Sequence, residues 1–412
     1  MRIAVLGGGP AGVFAAGTAS ESKNNSVVLF EKNEKILKKL FISGKGRCNI
    51  TNACSEAEFI SNVVNGGRFL FSALKAFSPS ETVRFFEERG LKLKTERGGR
   101  VFPASDKSSD VIKTLERFLR ERGVELRAGG AVLSIKKHGN GFLVKYTGGE
   151  ECFDAVVIAT GGKSYPRTGS DGDGYRYAES FGHTIVEPHP ALCAVRVGQN
   201  VKALEGLSLK NVSAAVCLDG KTLFSEFGEM LFTSDGLSGP IILSLSSRIN
   251  RWDLKRTSIK LDLKPALSEE TLDNRVIRDF KENINRDFLN SLNDLLPKSL
   301  VPYVIDAVKI PPRTKVNELS RENRRRLVYT LKNLTFDSLE LAPLDTAIVT
   351  SGGVALNEIN PKTMESKLVK NLYFSGEVLD IDALTGGFNI QAALSTGYVA
   401  GQALRESSET DC

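Results

Sequence analysis

The sequence is poor in the residues that hold metals or form crosslinks. It contains three histidines, His138, His183 and His189, and no two of them fall at ligand spacing. A histidine-based metal centre is therefore not expected, and no metal is assigned to any residue. Six cysteines (Cys48, Cys54, Cys152, Cys193, Cys217 and Cys412) are scattered without a Cys-x-x-Cys pair. That scatter excludes a zinc ribbon or a disulfide framework and suits a reducing, cytoplasmic compartment. No apolar run reaches the roughly 18–20 residues of a membrane helix, so no membrane partner is expected. The opening run Ile3-Ala4-Val5-Leu6 turns into glycines too soon for a signal peptide. There is no internal repeat and no low-complexity tract. Proline is sparse at 14 and glycine abundant at 38, which fits neither disorder nor collagen. Lys+Arg exceed Asp+Glu by only 55 to 49, a weak reason to expect nucleic acid as a partner.

What is present is a soluble globular composition, 41% hydrophobic and 25% charged over 412 residues, enough for two or three domains. Ile3-Ala4-Val5-Leu6 has no polar alternation and reads as a strand buried on both faces of a parallel sheet. Gly7-Gly8-Gly9-Pro10-Ala11-Gly12 follows at once and opens a helix of small residues. A second apolar strand, Val27-Val28-Leu29-Phe30, ends in Glu31 and Lys32. This is the dinucleotide fingerprint with its structural context complete. Gly7 serves the tight turn, Gly9 the close approach of a pyrophosphate, and Gly12 the helix–strand packing. The phosphates are expected on the free N–H groups of the helix N-terminus. Glu31 is expected to accept the adenosine ribose hydroxyls, which favours FAD or NAD over NADP.

Two later segments favour FAD. Ala131–Lys136, which includes Val132, and Gly141–Tyr146 flank turn residues and read as an antiparallel meander. The segment from Cys152 through Ala159 then reads as a buried strand ending in Thr160-Gly161-Gly162. A meander before such a strand resembles the FAD domain of the glutathione-reductase type; a plain NAD domain has a crossover helix there. Near the C-terminus, a strand through Tyr373 and Phe374 ends in Gly376-Glu377, and Gly386-Gly387-Phe388-Asn389-Ile390 opens another small-residue helix. That helix end can offer N–H groups to the flavin N1/C2=O edge, which gains negative charge on reduction.

At this level the chain resembles the HI0933-type (BaiN/YhiN-like) family of FAD-dependent oxidoreductases. The motifs that carry it are Ile42–Asn52, Gly99–Pro103, Thr160–Pro166, Leu231–Pro240, Thr350–Val354 and Asn360–Ser366. They span nearly the whole chain up to about Arg405. Ser234 stands where many relatives carry His, and Lys45 where a Gly is common. The resemblance implies FAD, an acid at Glu377 on the ribityl or its phosphate, and a small organic substrate. Family members have been linked to amine oxidation and to enone-type reduction, so the reaction is left open.

The organisation expected is α/β: a Rossmann-like FAD-binding domain of the glutathione-reductase type, split between residues 1–190 and 343–412. Residues 191–342 form an inserted β-barrel-like domain, with a small helical subdomain at about 265–333. Asp219-Gly220 is a strong hairpin signal, and Leu334–Leu341 reads as one strand. The polar loop Ser43–Asn52 is expected along the isoalloxazine, with Gly44, Gly46, Arg47, Cys48 and Asn49 touching the cofactor. Arg47, Asn49, Tyr165 and Asn389 are the candidate catalytic groups. Arg47 is expected on an anionic substrate group or on flavin oxygens. Tyr165 and Arg167 are expected to line the substrate side. Cys48 reads as a buried thiol rather than a redox centre, and His189 as a packing residue. There is no second GxGxxG, hence no separate nicotinamide domain; NAD(P)H is left as a transient reductant, with oxygen as another redox partner. Two other readings stand beside the oxidoreductase: an FAD-dependent RNA-modifying enzyme, motivated by the basic cluster Arg321–Arg326, and a non-catalytic flavin sensor. Oligomeric state is not readable.

Overall fold

The structure, a computed structural model, describes residues 1–410, so Cys412 lies outside the described residues. It divides into two compact units, one of Met1–Ala191 with the segment from Pro343 onward, the other Leu192–Ala342.

The first unit is built on a five-stranded parallel sheet. Its order is Leu372–Phe374, Ala155–Ile158, Arg2–Leu6, Ser26–Glu31, Glu125–Ala128. The central strands lack polar alternation because both faces are covered: Ile3, Ala4 and Val5 are wholly buried, as are Ala155–Ile158. The helix Pro10–Ala19 follows the first strand and is buried from Ala11 to Ala19, which explains its want of a polar face. Pro10 occupies the first helical turn, where its fixed φ is helical and its missing N–H costs nothing.

The helix Phe388–Thr410 packs along Pro10–Ala19. An added Cβ on Gly397 would stand 2.3 Å from the Ala11 carbonyl oxygen, and one on Gly401 2.6 Å from that of Ala15. Only glycine permits this approach. A three-stranded antiparallel sheet, Val132–His138, Gly141–Tyr146 and Gly149–Phe153, lies in the chain between the strands Glu125–Ala128 and Ala155–Ile158. It is tied to the parallel sheet through Glu151, which accepts from Tyr146 Oη at 2.7 Å and from Arg127 and Arg2.

The second unit holds a seven-stranded antiparallel sheet. Its order is Leu334–Phe336, Thr257–Asp262, Ser208–Leu218, Lys221–Phe232, Gly236–Ser238, Val195–Arg196, Glu340–Leu341. The hairpin at Asp219-Gly220 uses two left-handed residues, φ 49° and 79°, as its sequence requires. Leu334–Leu341 is not one strand, however. Ser338 takes φ 51° and divides it, so the two pieces become the two edges of the sheet. Helices Glu269–Glu282, Phe288–Ser291, Val301–Val308 and Arg321–Lys332 occupy the long segment between strands. Each unit encloses its own apolar cluster.

Candidate functional site

The chain ends of three parallel strands converge on the glycine loop. Gly7 has φ 105°, and a Cβ there would meet the Ala159 carbonyl at 2.5 Å. A Cβ on Gly12 would fall 2.0 Å from the Gly7 carbonyl oxygen. Gly9 differs, since a Cβ there would meet no atom within 4 Å. Its open side faces room for a ligand while its neighbours are locked by contact. Gly9 caps the helix without any side-chain bond, and Ala11 and Gly12 lie in the first turn, where a helix supplies no acceptor for N–H groups. A pyrophosphate fits such a cradle by shape and by charge.

Glu31 is fixed beside this loop. Its Oε2 accepts from the Gly8 N–H at 2.9 Å; its Oε1 accepts from Asn33 N at 2.8 Å and Asn33 Nδ2 at 2.6 Å. A carboxylate has about four acceptor positions, so one remains for a ribose hydroxyl. Lys32 is turned to Asp171 and Asp173 at 2.6 Å each. The Val132 carbonyl accepts from Tyr177 Oη at 2.5 Å. Gly161 has φ 75°, and a Cβ on it would abut Ser170 Oγ.

The second acid sits on the same side. A Cβ on Gly376 would come 2.7 Å from the Ala11 Cβ, which brings the C-terminal strand end against the first helix. Glu377 Oε1 accepts from Thr350 N at 2.9 Å and Ser164 Oγ at 3.0 Å, and Oε2 pairs with Lys39 Nζ at 3.3 Å. Gly162 leaves the space, since its Cβ would strike Thr350 Oγ1 at 2.4 Å. Tyr165 follows Ser164 and opens the turn Pro166–Thr168 with φ 48°; the turn ends at Gly169, where a Cβ would touch Asn33 Nδ2. Residues 164–169 thus run from Glu377 to the neighbourhood of Glu31. Tyr165 and Arg167 lie on this path, and the Arg167 carbonyl accepts from Lys38 Nζ at 3.4 Å.

The loop Ser43–Asn49 is strained into shape by left-handed residues: Gly44 at φ 57°, Lys45 at 59°, Gly46 at 81° and Cys48 at 60°. The Asn49 Oδ1 is buried and accepts no hydrogen bond. An orphaned acceptor of this kind is costly without a donor, and an N–H of a bound group would satisfy it. Arg47 departs from expectation. Its guanidinium stacks on Phe102 at 4.1 Å and binds Asp106, at 2.7 Å from Nε, and Glu96. These carboxylates already hold the charge intended for a substrate anion. Burial pushes the Cys48 thiol up to about 12, which makes it inert at neutral pH.

Gly387, at φ 97°, lies so close to Thr51 that a Cβ would meet its carbonyl oxygen at 2.5 Å. Phe388 packs edge-on against Phe59, and Ile390 lies against the apolar cluster of the unit. Asn389 is spent on its own loop: Oδ1 accepts from Ala383 N at 2.9 Å, and Nδ2 donates to Ala383 O at 2.7 Å. It positions the helix end rather than pointing a free amide at a reactant. His189 lies in a strand opposite Ser351, and Arg324 of the basic cluster is paired with Asp273.

Sequence reasoning missed Lys39, Ser164 and Thr350 as members of this site. Ser164 and Thr350 lie inside recognised motifs, but nothing local marks either as a partner of Glu377. Lys39 is one of several lysines after Glu31, and only the fold distinguishes it. Among the described residues no cluster of His, Cys, Asp and Glu suits a metal ion. No described helix is long and apolar enough to cross a membrane.

A parallel sheet with an open glycine cradle, two acids and a second helix end at one edge defines an FAD-dependent oxidoreductase built on a Rossmann-like domain. The model of the HI0933-like protein Rossmann domain matches residues 1–403, and the chain belongs to that family. A 3-dehydro-bile acid delta(4,6)-reductase of Clostridium scindens is 32% identical, with 98% of this chain and 99% of the relative covered. A ribosomal RNA dihydrouridine synthase of Escherichia coli is 30% identical, with 97% of each covered. Among solved structures, a 3-ketosteroid-delta4-(5alpha)-dehydrogenase of Rhodococcus jostii gives a TM-score of 0.53 at 12% identity, covering 98% of this chain and 96% of that one. A flavocytochrome c3 fumarate reductase gives 0.52 at 19%, covering 99% and 78%. These two structures share the fold.

Proposed function

We propose that this enzyme saturates a carbon–carbon double bond conjugated to a carbonyl in a small organic molecule. One observation carries the reading. The bile-acid reductase and the dihydrouridine synthase, each matched over nearly the whole chain, bear names that describe this one chemistry on unlike substrates. FAD, when bound, supplies the hydride that goes to the β-carbon; a proton from solvent or a side chain completes the α-carbon. The two electrons come from NAD(P)H acting transiently at the same site.

The chain's own groups bind and orient. Gly7, Gly9, Pro10, Ala11 and Gly12 hold the pyrophosphate, Glu31 the ribose, and Glu377 the ribityl. Val132 and Lys32 flank the adenosine, and Thr160-Gly161-Gly162 backs the phosphates. Gly44, Gly46, Cys48 and Asn49 lie along the ring, with Asn49 offering its unpaired acceptor. The Gly387–Ile390 helix end stabilises the charge that reduction leaves on the ring. Arg47 stiffens the loop that carries Asn49. The sheet of the second unit, whose edges are joined by only three residues at 337–339, supports a β-barrel-like inserted domain with a helical subdomain. The free thiols among the described cysteines suit a cytoplasmic location.

The test is anaerobic. Purified yellow protein is reduced with NADH or NADPH, and α,β-unsaturated ketones and acids are added while flavin colour is followed. Reoxidation by such compounds is expected; an oxidised flavin bleached by amines, whose reduced form is then reoxidised by oxygen alone, would overturn the reading. The second reading, a uracil ring within RNA as the double bond, is favoured by the dihydrouridine synthase likeness. Reoxidation by ribosomal RNA but not by small enones would select it.

A further inference from the structure

The candidate site contains a cation that neither the glycine fingerprint nor the flavin-ring loop accounts for. Lys39 lies just past the segment that closes over the phosphate loop. The Leu37 N–H donates to the Gly8 carbonyl at 2.8 Å, and a Cβ on Gly8 would strike Ile36 at 2.5 Å. Leu37 takes φ 62°, a left-handed turn that redirects the chain there. Two residues on, Lys39 Nζ donates to Ser164 Oγ at 2.9 Å and pairs with Glu377 Oε2 at 3.3 Å. Ser164 in turn donates to Glu377 Oε1 at 3.0 Å. Lysine has three donors, and two are used. The Lys39 side chain is 25% exposed and that of Glu377 22%.

Charge is what makes this arrangement informative. A pyrophosphate brings two negative charges to the Gly7–Gly12 loop, and that loop itself holds no basic residue. Glu377 sits close by, because Gly376 abuts Ala11 of the same loop. A carboxylate beside a diphosphate in a partly buried corner is repulsive unless a cation stands between them. Helix-end N–H groups supply only about half a unit of positive charge.

We propose that Lys39, steered by Ser164, is a phosphate-binding residue: its ammonium bridges Glu377 and the FAD pyrophosphate and makes the acid compatible with the cofactor. This rests on the FAD reading and names the group that makes the site's charge balance. The alternative is an ion pair that only joins two segments of the fold. The two differ in what a second substitution does.

The experiment measures FAD affinity of the deflavinated full chain by flavin fluorescence quenching, with melting of the apoprotein alongside. Lys39→Met is expected to weaken FAD binding by about tenfold to a hundredfold, the worth of a charge-assisted hydrogen bond. It should also flatten the salt dependence of binding, and Lys39→Arg should restore most of the affinity. In Lys39→Met/Glu377→Gln the repulsion is gone but so is the phosphate partner, so affinity stays clearly below that of Glu377→Gln alone. Riboflavin, which lacks the phosphates, should bind Lys39→Met and the wild type alike. Equal FAD affinity in Lys39→Met and wild type would overturn the inference. So would a double variant that binds as tightly as Glu377→Gln, because Lys39 would then serve the acid only. A wild-type chain that binds no flavin would instead overturn the FAD reading.

Discussion

Gly9 and Gly12 stand three residues apart and are constrained in opposite ways. Gly12 is held by contact with the Gly7 carbonyl, whereas Gly9 borders open space. A side chain at Gly12 therefore disturbs the protein, and one at Gly9 disturbs only what binds there. Gly9→Val is expected to lose its yellow colour while keeping the melting temperature of the wild-type apoprotein; full flavin occupancy in that variant would refute the phosphate assignment. At this scale the glycine loop and Glu31 were legible, because strand, loop, helix and acid are contiguous in sequence. The partners of Arg47 were not. Glu96 and Asp106 lie some fifty residues away, and nothing local in Gly46-Arg47-Cys48 says that its charge is already engaged.

Elements are held by contacts that specify register. Gly397 lies over Ala11 so closely that an added methyl must push the two helices apart. Gly397→Ala is expected to lose about 1–3 kcal/mol in urea unfolding, although alanine gains about 1 kcal/mol of helix propensity. An unchanged midpoint would mean that the helices are looser than described. The antiparallel meander is held differently, by charge. The hydrogen bond from Arg127, with help from Tyr146, lowers the Glu151 carboxyl to about 2. A lowered carboxyl contributes stability above the range where the unfolded group ionises and loses it as pH falls through the folded value. Glu151→Gln should thus melt earlier than wild type near neutral pH, and the gap should close as pH falls toward 2; a gap independent of pH would discount the ion pair. Turn residues between apolar runs located the meander and the Asp219-Gly220 hairpin, but the break at Ser338 was not read. Leu334–Leu341 alternates apolar and polar residues, and only a slip of phase at Asp337-Ser338 marks where the left-handed Ser338 divides it.

For the molecule as a whole, the proposed cofactor contacts come from residues 7–12, 31–32, 44–49, 132, 160–162 and 376–390. A ligand that binds the folded chain alone stabilises it by mass action. Melting temperature should rise with added FAD well beyond the stoichiometric point, and it should not rise in Gly9→Val. A flat response in the wild type would argue that the segments do not share one ligand. The α/β class and the family likeness were readable because each fingerprint is local. The convergence of Lys39, Ser164, Thr350 and Glu377 was not, since these residues are joined by folding alone, and no spacing rule links Lys39 to a residue 338 positions later.

The packing of Pro10–Ala19 against Phe388–Thr410 also sets a timetable for synthesis. The first helix is buried along almost its whole length, yet its partner begins only at Phe388, hundreds of residues further along the chain. At about 5–20 residues per second, tens of seconds separate the two on the ribosome. Through that interval the alanine-rich surface of the nascent helix has no native cover, and Gly376 and Glu377 do not yet exist to complete the corner. Flavin capture at the proposed site would therefore wait until Glu377 and the helix from Phe388 are made, and a polypeptide halted before that helix is expected to leave the ribosome colourless and sticky.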